Sequence, residues 1–206
     1  MIEKISKKIL DILVDENETN EQKEILLFGI TRIVEDIPKY LAMLLICILL
    51  GKLKAFCIVM VVTMAYKTFT GGVHLHTNIG CFIGSMISIL SCIYIPEIMV
   101  RFNKFIIPII AFTYIFSIYI ILTYVPADVP EIPIINEGRR KRDKIMSFII
   151  LNILFLIAIL LVKNLIYKYI IVITILNIDL MTTRTIYTLF KNKYGYENYV
   201  PDEMLI

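Results

Sequence analysis

Both histidines of the chain, His74 and His76, fall within the stretch "YKTFTGGVHLHTNIGCF" (residues 66 to 82), together with Gly71, Gly72 and Cys81. Imidazole and thiol suit nucleophilic catalysis: the imidazole takes the thiol proton, and the thiolate attacks a carbonyl. Spacing decides whether the two can meet. On one continuous α-helix, His74 and Cys81 would share a face but stand about 10.5 Å apart along the axis, too far to exchange a proton. A catalytic pair therefore requires a break. Gly71-Gly72 punctuates the chain, and Thr77 or Asn78 is a good N-cap for a following helix. Cys81 then sits in a first helical turn, where the positive end of the macrodipole lowers its pKa from about 8.5 and a nearby imidazolium lowers it further. His74 lies on the preceding loop and can fold back.

Spacing alone leaves three readings open. The first is the thiol-imidazole pair. The second is a soft-metal site built from His74, His76 and Cys81, since imidazole and thiolate suit zinc or copper. The third is a histidine and a cysteine with no joint role. The chain has no other histidine, no HExxH and no obvious fourth ligand, so no metal and no cofactor is expected. Cys81, Ser85, Ser88 and Cys92 follow at i, i+4, i+7 and i+11, a small, weakly polar stripe that faces protein or a cavity rather than lipid. The four cysteines, Cys47, Cys57, Cys81 and Cys92, sit in or beside apolar runs without a CxxC pair and read as free thiols.

The elements that must position these groups are membrane helices. Hydrophobic residues make up 58% of the chain and mean hydropathy is +0.79, more than one soluble core of 206 residues could hide. The expected fold is an all-α polytopic membrane bundle of about six hydrophobic helices, with four to six full crossings, plus an N-terminal amphipathic helix. It forms a single integral membrane domain over residues 1–206: an amphipathic interfacial segment at 1–20, the bundle at 21–195, and a cytoplasmic tail at 196–206. Ile2, Ile5, Ile9 and Ile12 recur at helical spacing with lysines between them, suiting an anionic leaflet or the flank of the bundle. The candidate spans are Ile25–Leu50, kinked at Pro38; Leu53–Phe69; Ile79–Ile95, ending at Pro96; Phe105–Val125; Ile145–Val162; and Leu165–Phe190.

Orientation follows from lysine and arginine placement. With six crossings and the amino terminus inside, fourteen basic residues face the cytoplasm and six face outward. The termini and the His74–Cys81 stretch are then cytoplasmic. The small net charge of +3, without exposed basic and aromatic interleaving, excludes nucleic acid as a partner class.

The segment "GGVHLHTNIGC", with H-x6-C after a glycine pair, is followed two spans later by "YVPADVPEIP" and then "RRKRDK". This combination resembles AgrB, the accessory gene regulator B family of membrane peptidases of Gram-positive quorum sensing, and covers roughly Glu24 to Phe190. The resemblance implies a cysteine endopeptidase of the cell membrane. Such an enzyme removes the C-terminal tail of an AgrD-like autoinducing propeptide through a thioester on Cys81, with His74 as its partner, and leaves a cyclic thiolactone. It also implies membrane lipid as a partner and is compatible with a homodimer. Lys67 stands where the family often shows an arginine before the glycines, and is a candidate for substrate binding. Arg139, Arg140, Lys141 and Arg142 are candidates for capturing an acidic propeptide tail, alongside their plain role as a topology signal. Glu35 could orient His74, Gly71 and Gly72 could supply oxyanion donors, and Asp179 is accounted for by pairing with Arg184. The competing functional class is a small membrane transporter or metal-binding carrier using His74, His76 and Cys81.

Overall fold

The computed structural model describes the chain apart from residues 1, 14–19, 74, 76, 102–105, 131–132 and 199–206, and apart from the side chains of a few helical residues, Arg32 and Asn78 among them. Two compact units result, Met1–Leu53 and Lys54–Ile206. The first holds α1 (Ile2–Leu13) and α2 (Asn20–Leu49). On α1 the apolar Ile5 and Ile12 are exposed while Ser6 is buried, so part of the isoleucine stripe is available to a leaflet surface. α2 runs through Pro38 as one helix. Lys39 binds Asp36 at 2.8 Å, and with Glu35 these charges leave only residues 40–49 as an apolar run, about 15 Å of helix and half a bilayer core.

Five helices among the described residues are long and apolar enough to cross a membrane, and all lie in the second unit. They are α3 (Leu53–Thr70), α4 (Asn78–Met99), α5 (Ile106–Thr123), α6 (Glu137–Leu156, extended by a π-helical turn at Ile157–Leu161) and α7 (Leu165–Thr182). Two short helices follow, α8 (Arg184–Leu189) and α9 (Gly195–Asn198). The structure is an all-α polytopic bundle, within the range of crossings that hydropathy gives.

Helix α7 is its axis: every residue from Tyr169 to Ile175 is buried, the pattern of a helix surrounded on all sides. Ile171, Ile175 and Ile178 pack with Val62 and Tyr66 of α3, Ile120 and Ile121 of α5, and Leu151 and Phe155 of α6. Outward residues such as Ile107, Ile115 and Leu122 are large, apolar and exposed, as a lipid-facing surface requires. Several boundaries depart from expectation. α4 continues through Pro96 to Met99, because in an apolar helix a proline removes one backbone bond that neighbours can replace. The last span stops at Thr182, where Thr183 turns extended and caps α8, its side chain accepting from the Ile186 amide. Residues 139–144 are not loop: Asn136 caps α6 by accepting from the Arg139 amide at 3.0 Å, so "RRKRDK" forms its first turns.

Alternating crossings put the α3–α4 connection, the α5–α6 connection and the segment after α7 at one end of this unit. Their hydrogen bonds to one another build the candidate site.

Candidate functional site

Helix α3 ends because the chain enters conformations that favour glycine. Gly71 has φ +76° and Gly72 φ +138°, while the Gly71 amide still closes the last turn on the Lys67 carbonyl at 2.9 Å. At Gly71 a side chain is also excluded by space, since an added Cβ would overlap the Ala127 carbonyl. Gly71 and Ala127 form a parallel bridge: the Ala127 amide donates to the Thr70 carbonyl at 2.8 Å, and the Gly72 amide donates to the Ala127 carbonyl at 2.9 Å. The Val73 amide then donates to the Met181 carbonyl of α7 at 3.0 Å. These bonds correct one expectation. The Gly71 and Gly72 amides already have carbonyl partners, so they do not stand open as oxyanion donors. The glycines make the break and allow the close approach of Ala127.

Beyond the break, Thr77 is extended (φ −109°, ψ 139°), and its hydroxyl accepts from the Gly80 amide at 3.1 Å. The Cys81 amide donates to the Thr77 carbonyl at 2.8 Å, which places the half-buried Cys81 in the first turn of α4. Leu75 reaches onto that helix: its Cδ1 lies 2.8 Å from where a Cβ on Gly84 would stand. The connection thus folds back against α4 one turn beyond Cys81. His74 and His76, on either side of Leu75, lie outside the described residues.

The other thiols differ in setting. Cys47 and Cys92 are buried, and exposed Cys57 lies in the second turn of α3, at the opposite end of that helix from Gly71. Ser88 of the small stripe on α4 meets α7, its hydroxyl donating to Asn177 Oδ1 at 2.6 Å. Among the described residues no group of three or more His, Cys, Asp or Glu side chains could hold a metal ion.

The "VPAD" segment is the centre of this end. Tyr187 of α8 donates to the Ala127 and Asp128 carbonyls (3.0 and 3.1 Å), and burial holds its phenol protonated far above ordinary pH, so it remains a donor. The buried Asp128 carboxylate accepts, at Oδ2, from the Ile134 amide at 2.9 Å, the Tyr196 amide at 3.0 Å and Arg140 Nη1 at 3.4 Å. Tyr196 lies under the Arg140 guanidinium, 4.2 Å from ring centroid to cation. Tyr194 stacks on Tyr187 with centroids 4.3 Å apart, and its hydroxyl donates to the Thr182 carbonyl. Tyr196, at the start of the segment expected as a cytoplasmic tail, is docked there through its amide and its ring.

Of the basic run, Arg142 makes a 2.9 Å ion pair with the buried Asp143, and Arg139 approaches that carboxylate at 3.7 Å. Lys144 donates to the Leu122 carbonyl. Arg139, Lys141 and Arg142 remain exposed, whereas Arg140 is turned inward to Asp128. The Lys67 side chain runs along Gly72, its Cε 3.6 Å from a notional Cβ there. Glu35 belongs to the first unit, and its part-buried side chain is described there only. Asp179 does not pair with Arg184, which binds Glu197 instead. The Asp179 carboxylate is fully buried and accepts from the Tyr66 hydroxyl at 2.9 Å and from the Ser117 hydroxyl. No sequence signal pointed to Tyr66, Ser117, Tyr187 or Tyr196, since the aspartates they bond, Asp179 and Asp128, lie 59 or more residues away.

Comparison with known proteins identifies a family and relatives for the chain. The family model described as Accessory gene regulator B matches residues 6–186. An AgrB-like protein of Clostridium perfringens (strain 13 / Type A) is 33% identical over 125 residues, covering 61% of this chain and 65% of its own length, just under two thirds. A second, from strain SM101 / Type A, is 30% identical over 166 residues, covering 78% of this chain and 77% of its own. A third, again from strain 13, is 26% identical over 164 residues with the same coverage. No solved structure matches. A family match over nearly the whole chain, joined to the glycine break, the capped Cys81 turn and the membrane bundle, places this protein in the AgrB family.

Proposed function

We propose that the protein is a membrane cysteine endopeptidase that removes the C-terminal tail of an AgrD-like propeptide through a Cys81 thioester and cyclises the remainder to a thiolactone for quorum sensing. The observation that carries this reading is the return of the α3–α4 connection onto α4, through the Leu75–Gly84 contact, beside a Thr77-capped first turn holding Cys81. Cys81 there meets the positive end of α4, which favours the thiolate. Of the four thiols, Cys81 alone combines partial exposure with a helix start beside a connection carrying histidine.

The chemistry balances without a cofactor. His74 takes the Cys81 proton, and the thiolate attacks the carbonyl carbon at the scissile bond. The tetrahedral oxyanion collapses, the C–N bond breaks, and His74 returns its proton to the departing amine of the tail. The remaining acyl group is held as a thioester on Cys81. A cysteine within the bound peptide gives its thiol proton to His74 and attacks that thioester, and Cys81 leaves as thiolate and takes the proton back. One thioester replaces another, so the exchange is nearly neutral in energy, and shielding from water protects it from hydrolysis. With the Gly71 and Gly72 amides occupied, oxyanion donors come from the start of α4, where helix geometry leaves the Ile79 amide without an intrahelical partner.

Positive charge supports a cytoplasmic site. The end of the second unit that carries Cys81 also carries Lys67, Arg139, Arg140, Lys141, Arg142, Lys144, Arg184, Lys191 and Lys193. On this reading the exposed Arg139, Lys141 and Arg142, with Lys67, attract an acidic propeptide tail. Co-expression with the propeptide tests the function. The propeptide is shortened by the wild type and left intact by Cys81→Ala and by His74→Ala; shortening by both variants would exclude this chemistry.

A further inference from the structure

The glycine break is fixed from outside. Its position against Ala127 depends on a one-residue bridge, and the connection around Ala127 has no regular secondary structure to hold it. What holds it is the next residue. Asp128 Oδ2 closes the connection on itself through the Ile134 amide, joins it to α6 through Arg140, and joins it to the carboxy-terminal segment through the Tyr196 amide. Arg140 also donates to the Ile134 carbonyl at 3.3 Å, so its guanidinium binds both the carboxylate and the backbone that the carboxylate binds. Gly195 lets the carboxy-terminal backbone come this close, since an added Cβ would overlap the Val129 carbonyl and stand 3.0 Å from Pro133 Cα. A second path runs in parallel, from Tyr194 through its stacked partner Tyr187 to the carbonyls of Ala127 and Asp128.

We propose that Asp128 is a positioning residue for the Cys81 site, and that it acts by locking the docked segment 194–197 onto the connection whose Ala127 sets the exit of the chain from Gly72; this rests on the peptidase reading above. Asp128 touches no reacting atom. Its carboxylate fixes Ala127, Ala127 fixes the Gly72 amide, and Gly72 sets the direction in which the chain leaves α3 at Val73. A carboxylate fits the task because its three donors include a guanidinium, so the acceptor must carry charge to balance it. The turnover of the site then depends on the carboxy-terminal segment staying docked. A misplacement of about 1 Å at such a site lowers turnover by about 100-fold without weakening the grip on substrate.

The test uses full-length protein in lipid nanodiscs with a synthetic propeptide. It compares the wild type with Asp128→Asn, which keeps the side-chain shape, and with Gly195→Val, which pushes the segment off while leaving Asp128 intact. Cys81→Ala sets the zero. In both variants kcat per inserted molecule falls about 10- to 100-fold while KM stays within about twofold. Alkylation of Cys81 by iodoacetamide at neutral pH, in chains with Cys47, Cys57 and Cys92 replaced by alanine, slows several-fold. Wild-type kcat and alkylation in both variants, or a loss lying entirely in KM or in the amount of inserted protein, would overturn the proposal. A wild type as inactive as Cys81→Ala would break the peptidase reading instead, and the alkylation rates would still decide whether Asp128 positions the Cys81 site.

Discussion

Two buried carboxylates are held in opposite ways. Asp179 sits inside the bundle and accepts from hydroxyls on two neighbouring helices, Tyr66 of α3 and Ser117 of α5. Asp128 sits at the end of the bundle and accepts from two backbone amides and a guanidinium supplied by an irregular connection, α6 and the carboxy-terminal segment. The first ties helices whose apolar faces already pack; removing it leaves two hydroxyls, of which Ser117 still donates to the Thr113 carbonyl of its own helix. The second ties segments with little apolar surface of their own, and backbone amides cannot turn away to find another partner. Asp179 therefore bears on the packing of the spans alone, whereas Asp128 bears on both the stability of this end and the geometry of the site.

Substitutions can break this comparison, and they rank by what they leave unpaired. Asp128→Ala strands a guanidinium and two amides at once, and should cost about 3–5 kcal/mol, read as the shift in unfolding midpoint on titrating detergent micelles with a denaturing detergent. Asp179→Ala leaves two buried hydroxyls and should cost about 1–3 kcal/mol in the same titration, while turnover per folded molecule stays near the wild type. Tyr187→Phe removes one hydroxyl that serves two carbonyls and should cost about 1 kcal/mol, with a measurable fall in turnover because Ala127 loosens. Tyr66→Phe should cost least, about 0.6 kcal/mol, the usual worth of a hydrogen bond between membrane helices. A fall in turnover with Asp179→Ala and none with Tyr187→Phe would invert the assignment of roles.

What could be read in the sequence follows the same division. Local features were legible because a few adjacent residues determine them. Gly71-Gly72 makes the break, Thr77 caps α4, and Cys81 falls in the first turn because the cap fixes where the helix begins. The spans were legible from hydropathy, although Pro96 did not end α4 and the basic run proved to be helical. Partners distant in the chain were not legible. Arg184 lies five residues from Asp179 and looked like its counter-ion, yet it binds Glu197, while Asp179 takes hydroxyls from α3 and α5. Arg140 looked like one of several equivalent charges. Its inward turn depends on Asp128, twelve residues earlier, and on Tyr196, which only the fold brings near. Gly71 and Gly72 were expected to present amides to an oxyanion, and the bridge to Ala127 that occupies one of them is a tertiary feature.

The central claim is that Cys81 carries the acyl group. A propeptide whose own cysteine is replaced by alanine cannot accept that group, so the thioester should accumulate on the protein. Mass spectrometry of the membrane fraction should then show the trimmed propeptide attached at Cys81 and released by neutral hydroxylamine. An adduct on Cys47, Cys57 or Cys92, or intact propeptide with no adduct at all, would contradict the account.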